Sequence, residues 1–493
     1  MRKDAPVTDV IVIGAGVAGL GAALALGRDG HRVTVLERDA TPLPEDAQHA
    51  FWWDRRGAPQ VRHSHMFLAR LRNLLRDGYP DVRESLLEAG ATELTIAEMT
   101  PEGMDPTPHP GDEDLAMLAC RRTTFEWVLR RKVLEQDHVA FRDGVVVDGL
   151  VVEDGRVVGV RTAVTAGTPR TPGTAGTPRT PGSEEIRADV VVAANGRRSE
   201  FPRWVREAGL GEIEEVTEDT GIVYWSRFYK LHDGVEPPKQ EGPIGGDLGY
   251  MKFAVFPGDN GTFSVTLATN NDDEVFRGLG KEALFDQVVA RLVPTAPWVD
   301  PAVSEPITPV HPMAKLLNRL RHVVRDGGPV APGLLAIGDA AVCTNPLYGR
   351  GCALGFVHAD LLAAALRDHP DDPVAQALAL EEGTERELLP WYRASVDADA
   401  RNRRIAQGEA RTEDEFLGSV LKEVMPAMRT DPVLFRAFLR MFNLLEDPNS
   451  LMTDPELVAR VMEHYQRREE REPEPPLGPD REQLLAELGL TAA

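Results

Sequence analysis

After a short polar stretch the chain runs into Val10-Ile11-Val12-Ile13, an apolar, β-branched segment with no polar alternation. Such a run reads as a parallel strand buried on both faces. Glycines at 14, 16 and 19 follow it, and Leu20 to Leu26 then forms a small-residue apolar body that stops near Gly27–Gly30. That is a turn and a helix with its C-terminal breaker. "RVTVLERD" (32–39) returns as a second strand, closing on Glu37. The same pattern recurs far downstream: a strand over 334–337, a turn at Gly338-Asp339, and a small-residue helix from Cys352 onward. Between these segments the period changes. "GIVYWSRFYKL" (221–231), "GYMKFAVFPG" (249–258) and "GTFSVTLAT" (261–269) are aromatic and roughly alternating, as expected of an antiparallel sheet with one covered face. Alternation sends Tyr224, Ser226 and Phe228 to one face and Trp225, Arg227 and Tyr229 to the other, without saying which face meets a ligand.

From about residue 375 the apolar spacing is helical. "TAGTPRTPGTAGTPRTPG" (165–182) is a near-duplicated, low-complexity segment between two strands, which suggests an extended hairpin tip with no role in function. "GLGKEAL" (278–284) has no strand before it and reads as a loop ahead of a helix. "QRREEREPEPPLGPD" (466–480) is a charged, proline-rich linker, and "REQLLAELGL" after it is a short helix that docks on the body or on a partner.

Length and charge narrow the partners. At 493 residues the chain exceeds one ordinary core, so two or three structural units are expected. Hydrophobic content of 42% and charged content of 27% are those of a globular protein in water. A net charge of −23 disfavours nucleic acid and anionic membranes, which reward positive surfaces. Val10–Gly27 has the length of a membrane span, but five of its residues are glycine, Asp4 and Asp9 precede it, and no cleavage site follows. The expectation is a cytoplasmic protein with no span. Three cysteines, Cys120, Cys343 and Cys352, are too few for a disulfide framework and fit a reducing compartment.

The candidate chemistry begins at Gly14-x-Gly16-x-x-Gly19. The first glycine makes the turn, the second lets a pyrophosphate approach the backbone, and the third lets helix pack on strand. The helix N-terminus then turns free N–H groups and its positive end toward the phosphates. Glu37 lies eighteen residues past Gly19, where a carboxylate accepts hydrogen bonds from ribose hydroxyls and disfavours a 2′-phosphate. The pattern suits FAD or NAD and does not separate them.

The C-terminal half does. "PGLLAIGDAAVCTNPLYGRGCALGFVHADLLAAAL" (332–366) resembles the GD motif of FAD-dependent monooxygenases of the single-Rossmann hydroxylase and epoxidase type, with a p-hydroxybenzoate hydroxylase-like fold. The resemblance gives Asp339, after Gly338, the flavin's ribityl hydroxyl. It turns the backbone of Gly351, Cys352 and Ala353 toward the flavin pyrimidine edge, where a helix N-terminus stabilises the negative charge of the reduced ring. "CRRTTFEWVLRRKV" is similar to the family's R-x-x-(aromatic or Leu)-E helix and makes Arg122 a cofactor contact; "GAPQVRHSHMFLARLRNLL" does the same for Arg62. "FRDGVVVDGLVVEDGRVVGVRT" resembles the paired strands near adenine, with Val147 in contact. Ala18, and Arg38 after Glu37, complete the expected nucleotide side. Where the family has D-G-x-x-S, this chain has Asn195-Gly196-Arg197-Arg198-Ser199, which keeps a turn but loses a charge credited with flavin and pyridine-nucleotide contacts.

The implied architecture is a discontinuous α/β FAD-binding Rossmann-like domain (1–90, 115–205 and 330–375), an antiparallel β-sheet substrate domain (206–329 with part of 91–114) and a helical C-terminal region (376–493). The implied activity is hydroxylation or epoxidation, through a flavin C4a-hydroperoxide, of an apolar or aromatic small molecule, with secondary metabolism as the expected setting. O₂ is the second substrate. Electrons come from NADH or NADPH or a separate flavin reductase, since no second G-x-G-x-x-G unit encodes a nicotinamide domain. Pro346, Tyr348 and His63 are candidates near the ring, and Tyr224, Phe228, Tyr250 and Phe253 for the substrate lining. Two other readings use the same fold: a flavin dehydrogenase or reductase of a carbon–carbon bond, and a flavin-binding protein without turnover. The C-x8-C spacing of Cys343 and Cys352 is no recognisable metal or redox-pair pattern, and no metal is expected. G-x-S-x-G, H-E-x-x-H and the halogenase W-x-W-x-I-P segment are absent, which disfavours hydrolysis and halogenation.

Overall fold

Burial follows the sequence pattern element by element in a computed structural model, which describes residues 6–101, 103–163, 184–238, 245–470 and 475–490. The repeat at 165–182 lies outside the described residues. The elements used below are, in chain order, β1 (Asp9–Ile13), α1 (Val17–Arg28), β2 (Arg32–Leu36), α2 (Arg122–Leu134), β3 (Val139–Arg142), β4 (Val190–Ala193), β5 (Ile222–Leu231), β6 (Lys252–Pro257), β7 (Thr262–Asn270), β8 (His311–Met313), β9 (Leu334–Ala336), α3 (Gly351–Asp368) and α4 (Arg481–Leu488). The chain forms two compact units, each discontinuous. The first is Met1–Pro59, Thr123–Glu218 and Leu317–Arg393; the second is Gln60–Arg122, Asp219–Leu316 and Ala394–Ala493.

The first unit is built on a five-stranded sheet in the order β9-β4-β1-β2-β3, parallel throughout. Its strands come from three separate parts of the chain. Val12 of β1 pairs with Val35 on one side and Val192 on the other. All four residues of β4 are buried, as are Val10 to Ile13 of β1. This is why these strands read as unbroken apolar runs: helices cover both faces of a parallel sheet. Helix α1 packs on α3, and Gly21 makes the approach possible, because a Cβ there would sit 3.1 Å from the Phe356 ring and 3.3 Å from Ala359. A three-stranded antiparallel sheet (Val146–Glu153, Arg156–Ala163, Glu184–Arg187) belongs to the same unit.

The second unit centres on an antiparallel sheet in which β6, β7 and β5 lie side by side. Gly245–Asp247 lies outside β6, and Ser304–Pro306 and β8 pair with the far side of β5. Register shows which residues of neighbouring strands share a face. Trp225, Leu267 and Phe253 stand in one row across the ladder, so they share a face. That face is the core, where Trp225, Tyr229, Phe253, Val255 and Val265 pack with Phe276, Phe285, Leu484 and Leu485. Helix α4 therefore docks on the sheet of its own chain, started by a capping box between Asp480 and Gln483. Tyr224, Ser226 and Phe228 point to the opposite face. Helices Thr412–Met428, Pro432–Phe442 and Pro455–Gln466 form a further cluster in this unit, around Val420, Val424, Leu434 and Val461.

Candidate active site

In the first unit the backbone makes a cradle. Gly14 follows β1 with φ +101°, a conformation that favours glycine, and its N–H donates to the Leu36 carbonyl at 2.8 Å. A Cβ on Gly14 would lie 2.8 Å from Asn195 Cα and 2.9 Å from the Ala194 carbonyl oxygen, so the loop after β4 closes directly on the turn. A Cβ on Gly19 would lie 2.0 Å from the Gly14 carbonyl oxygen. Gly16, the N-cap of α1, differs from both: a Cβ there would meet nothing within 4 Å. The turn is packed shut from behind and open at the helix N-terminus, where a diphosphate would fit.

The second glycine motif meets the first. Gly338 has φ +57°, and a Cβ on it would lie 2.7 Å from Ala18 Cβ; a Cβ on Gly355 of α3 would lie 3.4 Å from the same methyl. Asp339 sits half-buried in the short turn Gly338–Ala340, and a Cβ on Gly351 would be 3.9 Å from its Oδ1. Cys352 and Ala353, in the first turn of α3, are buried. Asn195 supports its own turn: its Oδ1 accepts from the Ser199 hydroxyl at 2.5 Å, and the Gly196 carbonyl accepts from Ser199 N–H at 2.9 Å. His358 of α3 holds the GD turn, its Nδ1 accepting from Gly338 N–H at 3.1 Å, so its proton lies on Nε2, 3.0 Å from Thr384 Oγ1. Burial pushes the His358 imidazole down to about 3, which keeps it neutral.

Glu37 follows β2 directly and sits inside a charge cluster. Its Oε2 accepts from Ala15 N–H and its Oε1 from Asp39 N–H, both at 2.9 Å. Arg55 Nη2 lies 3.5 Å from Glu37 and 3.3 Å from Glu126 of α2, and donates to the Ala15 carbonyl at 2.8 Å. Burial raises the Asp39 carboxyl above its usual range, against the hydrogen bond from Gly57 N–H, and burial lowers Arg130 with Arg55 beside it. Sequence reasoning missed Arg55 and Glu126. Glu126 closes the R-x-x-F-E pattern, but nothing local distinguishes Arg55 from Arg56; their side chains are 1% and 85% exposed. Arg55 Nε and Nη1 are buried with no hydrogen-bond partner among the described residues, as are the same atoms of Arg130. Orphaned guanidinium donors next to an open glycine turn fit an anionic dinucleotide.

The other expected contacts are spread. Arg38 is exposed and reaches the Gly57 carbonyl at 3.4 Å. Val147 is buried and paired with Thr162, two residues after Val145, whose N–H bonds the Glu37 carbonyl at 2.9 Å. Pro346 is exposed; Tyr348 is half-buried, and the Arg350 guanidinium stacks on both Tyr348 and Trp391 at 4.8 Å. Cys120, Cys343 and Cys352 are all buried, free thiols. Burial and the nearby Asp339 push the Cys343 thiol far up, which makes it a poor nucleophile.

Arg62, His63, Arg122 and the four lining candidates lie in the second unit. Arg62 is exposed and depresses the His311 imidazole, which burial lowers most. His63 is buried against Tyr224, with ring centroids 5.1 Å apart. Arg122 Nη1 donates to His65 Nε2 at 3.2 Å, while His65 Nδ1 faces the His63 carbonyl at 2.9 Å. His65 thus carries its proton on Nδ1, and burial, reinforced by Arg122, brings it down to about 3. Tyr224 donates to Met313 Sδ at 2.6 Å, and Phe228 is buried on the same face. Tyr250 and Phe253 do not join them, which corrects the expected lining. Phe253 is in the core on the opposite face, and Tyr250 stacks on Phe276 at 5.8 Å and donates to the Pro479 carbonyl at 2.8 Å. A period of two separates Phe253 from Tyr224 and Phe228, while Tyr250, which precedes β6, packs against the same core as Phe253.

Comparison with known proteins agrees with this geometry. Residues 9–49 match the family described as FAD dependent oxidoreductase. Protein Rv3254 of Mycobacterium tuberculosis is 27% identical, covering 96% of this chain and 98% of its own. Kynurenine 3-monooxygenase of Salinispora arenicola is 24% identical over 84% of this chain and 85% of its own. Among solved structures, the flavin-dependent brominase Bmp2 aligns with a TM-score of 0.57 at 16% identity, covering 94% of this chain and all of the brominase (100%). PqsL of Pseudomonas aeruginosa, a probable FAD-dependent monooxygenase by its description, aligns with a TM-score of 0.54 at 16% identity, over 83% and 98%. Among the described residues no helix is long and apolar enough to cross a membrane. The family match, the full-length relatives and the shared architecture make this chain an FAD-dependent oxidoreductase with the fold of the single-Rossmann hydroxylases and epoxidases.

Proposed function

We propose that the chain is a monooxygenase that inserts one oxygen atom of O₂ into a small organic molecule, aromatic or largely apolar. The observation that carries this reading is the meeting of the two glycine motifs, Ala18 on Gly338, which brings Asp339 and the start of α3 to the turn that takes the diphosphate. FAD, when bound, supplies the two-electron chemistry and the activation of O₂. The remaining work falls to this chain. Gly16 and the α1 N-terminus bind the diphosphate, Glu37 orients the ribose, and Asp339 takes the ribityl chain. The backbone of Gly351–Ala353 holds negative charge at the pyrimidine edge. In the second unit, Tyr224 and Phe228 line the substrate side. The monooxygenase names among the relatives support oxygenation over dehydrogenation. Electrons arrive from NADH or NADPH or through a separate reductase, and three free thiols suit the cytoplasm.

The test is isotopic. Holoenzyme reduced without air and then mixed with ¹⁸O₂ and a library of aromatic and polyene compounds should yield a product carrying one ¹⁸O. Substrate conversion in the strict absence of O₂ would replace this reading with a dehydrogenase. Re-oxidation that gives only hydrogen peroxide with every compound would leave a flavin-binding protein without oxygenase activity.

A further inference from the structure

A small sheet in the first unit backs the two cofactor turns. Its strands run in the order Glu214–Asp219, Leu317–His322 and Val342–Cys343. Arg319 and Arg321 stand two apart on the middle strand, so their side chains leave the same face. Arg321 Nη1 donates to the Ala340 carbonyl at 2.8 Å, directly after Asp339, and its backbone N–H donates to the Ala341 carbonyl at 3.0 Å. Arg321 Nη2 donates to the Ser199 carbonyl at 3.2 Å, and Arg319 Nη1 to the Arg197 carbonyl, both in the turn that starts at Asn195. One carboxylate meets both guanidinium groups: Glu215 Oε2 lies 2.7 Å from Arg321 Nε, and Oε1 lies 3.3 Å from Arg319 Nε. The Arg321 guanidinium also lies over the Phe201 ring at 5.4 Å.

These partners differ in where they sit. Arg321 is 5% exposed, whereas every residue from Glu214 to Asp219 is exposed. A strand wetted on both faces gains little from burial, so the ladder and the two ion pairs hold Glu215 in place. Burial pulls the Arg321 guanidinium below its ordinary range, and the Glu215 carboxylate pulls it back. The same cations reach the GD turn: Arg197, Arg319 and Arg321 all act against the burial and the Asp339 charge that raise the Cys343 thiol. We propose that Arg321 is a positioning residue that fixes the Asn195 and Asp339 turns in one arrangement, and that Glu215 offsets its charge at the flavin. The inference rests on the assignment of the two turns to FAD and is independent of what becomes of O₂. Arg321 has the fork geometry for the first task, because one planar group reaches two carbonyls and a carboxylate at once. Its charge performs the second. Negative charge gathers on the flavin as it is reduced, so a cation behind the GD turn favours the reduced form and the carboxylate opposes it. An acid on the surface thereby bears on a buried cofactor.

The experiment measures the midpoint potential and the FAD affinity of holoenzyme variants. The potential is read without O₂ against a reference dye, and the affinity from the flavin fluorescence released on dilution. Glu215→Gln should raise the potential, shifting the equilibrium about tenfold toward reduced flavin, which is about 30 mV for two electrons. Arg321→Gln should shift it by a similar amount the other way and loosen FAD. Arg321→Lys keeps the charge but not the fork, so its potential should stay near that of wild type while FAD affinity falls about tenfold. Thermal melting of each variant checks the fold. If Arg321→Gln yields no holoenzyme, Glu215→Gln and Arg321→Lys decide the matter. A purely structural staple would weaken FAD binding in all three variants without opposite movements of the potential. A potential that Glu215→Gln leaves unchanged or lowers overturns the role of Glu215, and wild-type FAD affinity in Arg321→Lys overturns that of Arg321. Wild-type protein that takes up no FAD would end both this inference and the reading of the turns beneath it.

Discussion

The glycine turn after β1 and the polar face of the β5–β7 sheet are built on opposite principles. In the turn, position is set by the side chains that are missing: Gly14 and Gly19 would each bring a Cβ within 3 Å of backbone, and Gly16 leaves open space. On the sheet face, position is set by side chains that are present, Ser64, Thr266, Ser226 and His63, held by each other. A backbone site should therefore fail at the smallest addition. A side-chain site should survive small deletions with its fold intact and its ligand preference changed.

The hardest blow to the cradle is Gly14→Val, which places a branched side chain at φ +101° against the Asn195 and Ala194 backbone. The purified variant should lack visible flavin absorbance and its thermal transition should be lost or much lowered; yellow protein with wild-type melting would break the comparison. Next is Arg55→Met, which leaves Glu37 and Glu126 without their shared cation. Breaking a buried pair in this way costs about 3–5 kcal/mol, against about 0.5 kcal/mol or less for Arg56→Ala on the surface, and urea unfolding reads both. If Asp339 holds the ribityl chain as proposed, Asp339→Ala costs a charge-assisted hydrogen bond worth about 1.5–3 kcal/mol, and FAD affinity should fall roughly ten- to a hundredfold in a fluorescence titration of the apoprotein. Smallest at neutral pH, but present in both regions, is acid sensitivity. His358 and His65 are each depressed to about 3 in the folded chain. Unfolded, they bind protons near pH 6.5, so stability is complete above that pH and falls as pH drops toward 3, by on the order of 2 kcal/mol per histidine at pH 5. His65→Asn should flatten the unfolding-versus-pH curve over that window, and an unchanged slope would count against the buried neutral state.

Legibility in the sequence divides along the same line. The strand–turn–helix–strand from Asp9 to Leu36 was readable because parallel strands are apolar on both faces and tight turns need glycine, two local rules. The joining of Gly338 to Ala18 needed a family resemblance, since no local rule links residues so far apart. Arg55 was not readable at all, because its burial depends on Glu37 and Glu126 rather than on its neighbours. Phe253 and Tyr250 looked like lining for the reason that Tyr224 did, being aromatic in an alternating segment; the register with Leu267 sets Phe253 apart, and packing on Phe276 sets Tyr250 apart. The order Ser64–Thr266–Ser226–His63 was equally hidden. Its members are common residues on three segments, and a hydrogen-bonded row has no signature until the strands are in register.

Helix α4 gives the fold an order in time. Leu484 and Leu485 complete the core beneath Trp225 and Phe253, yet they are synthesised more than two hundred residues after those aromatics. A growing chain must carry that sheet with its apolar side incomplete from the end of β8 at Met313 until Leu484 and Leu485 are made, a period when exposed aromatic strands are prone to aggregate. Emergence of α4, rather than formation of any earlier strand, is then the moment at which the sheet is covered. Slow translation of residues 466–488 would hurt yield more than the same delay near the glycine turn.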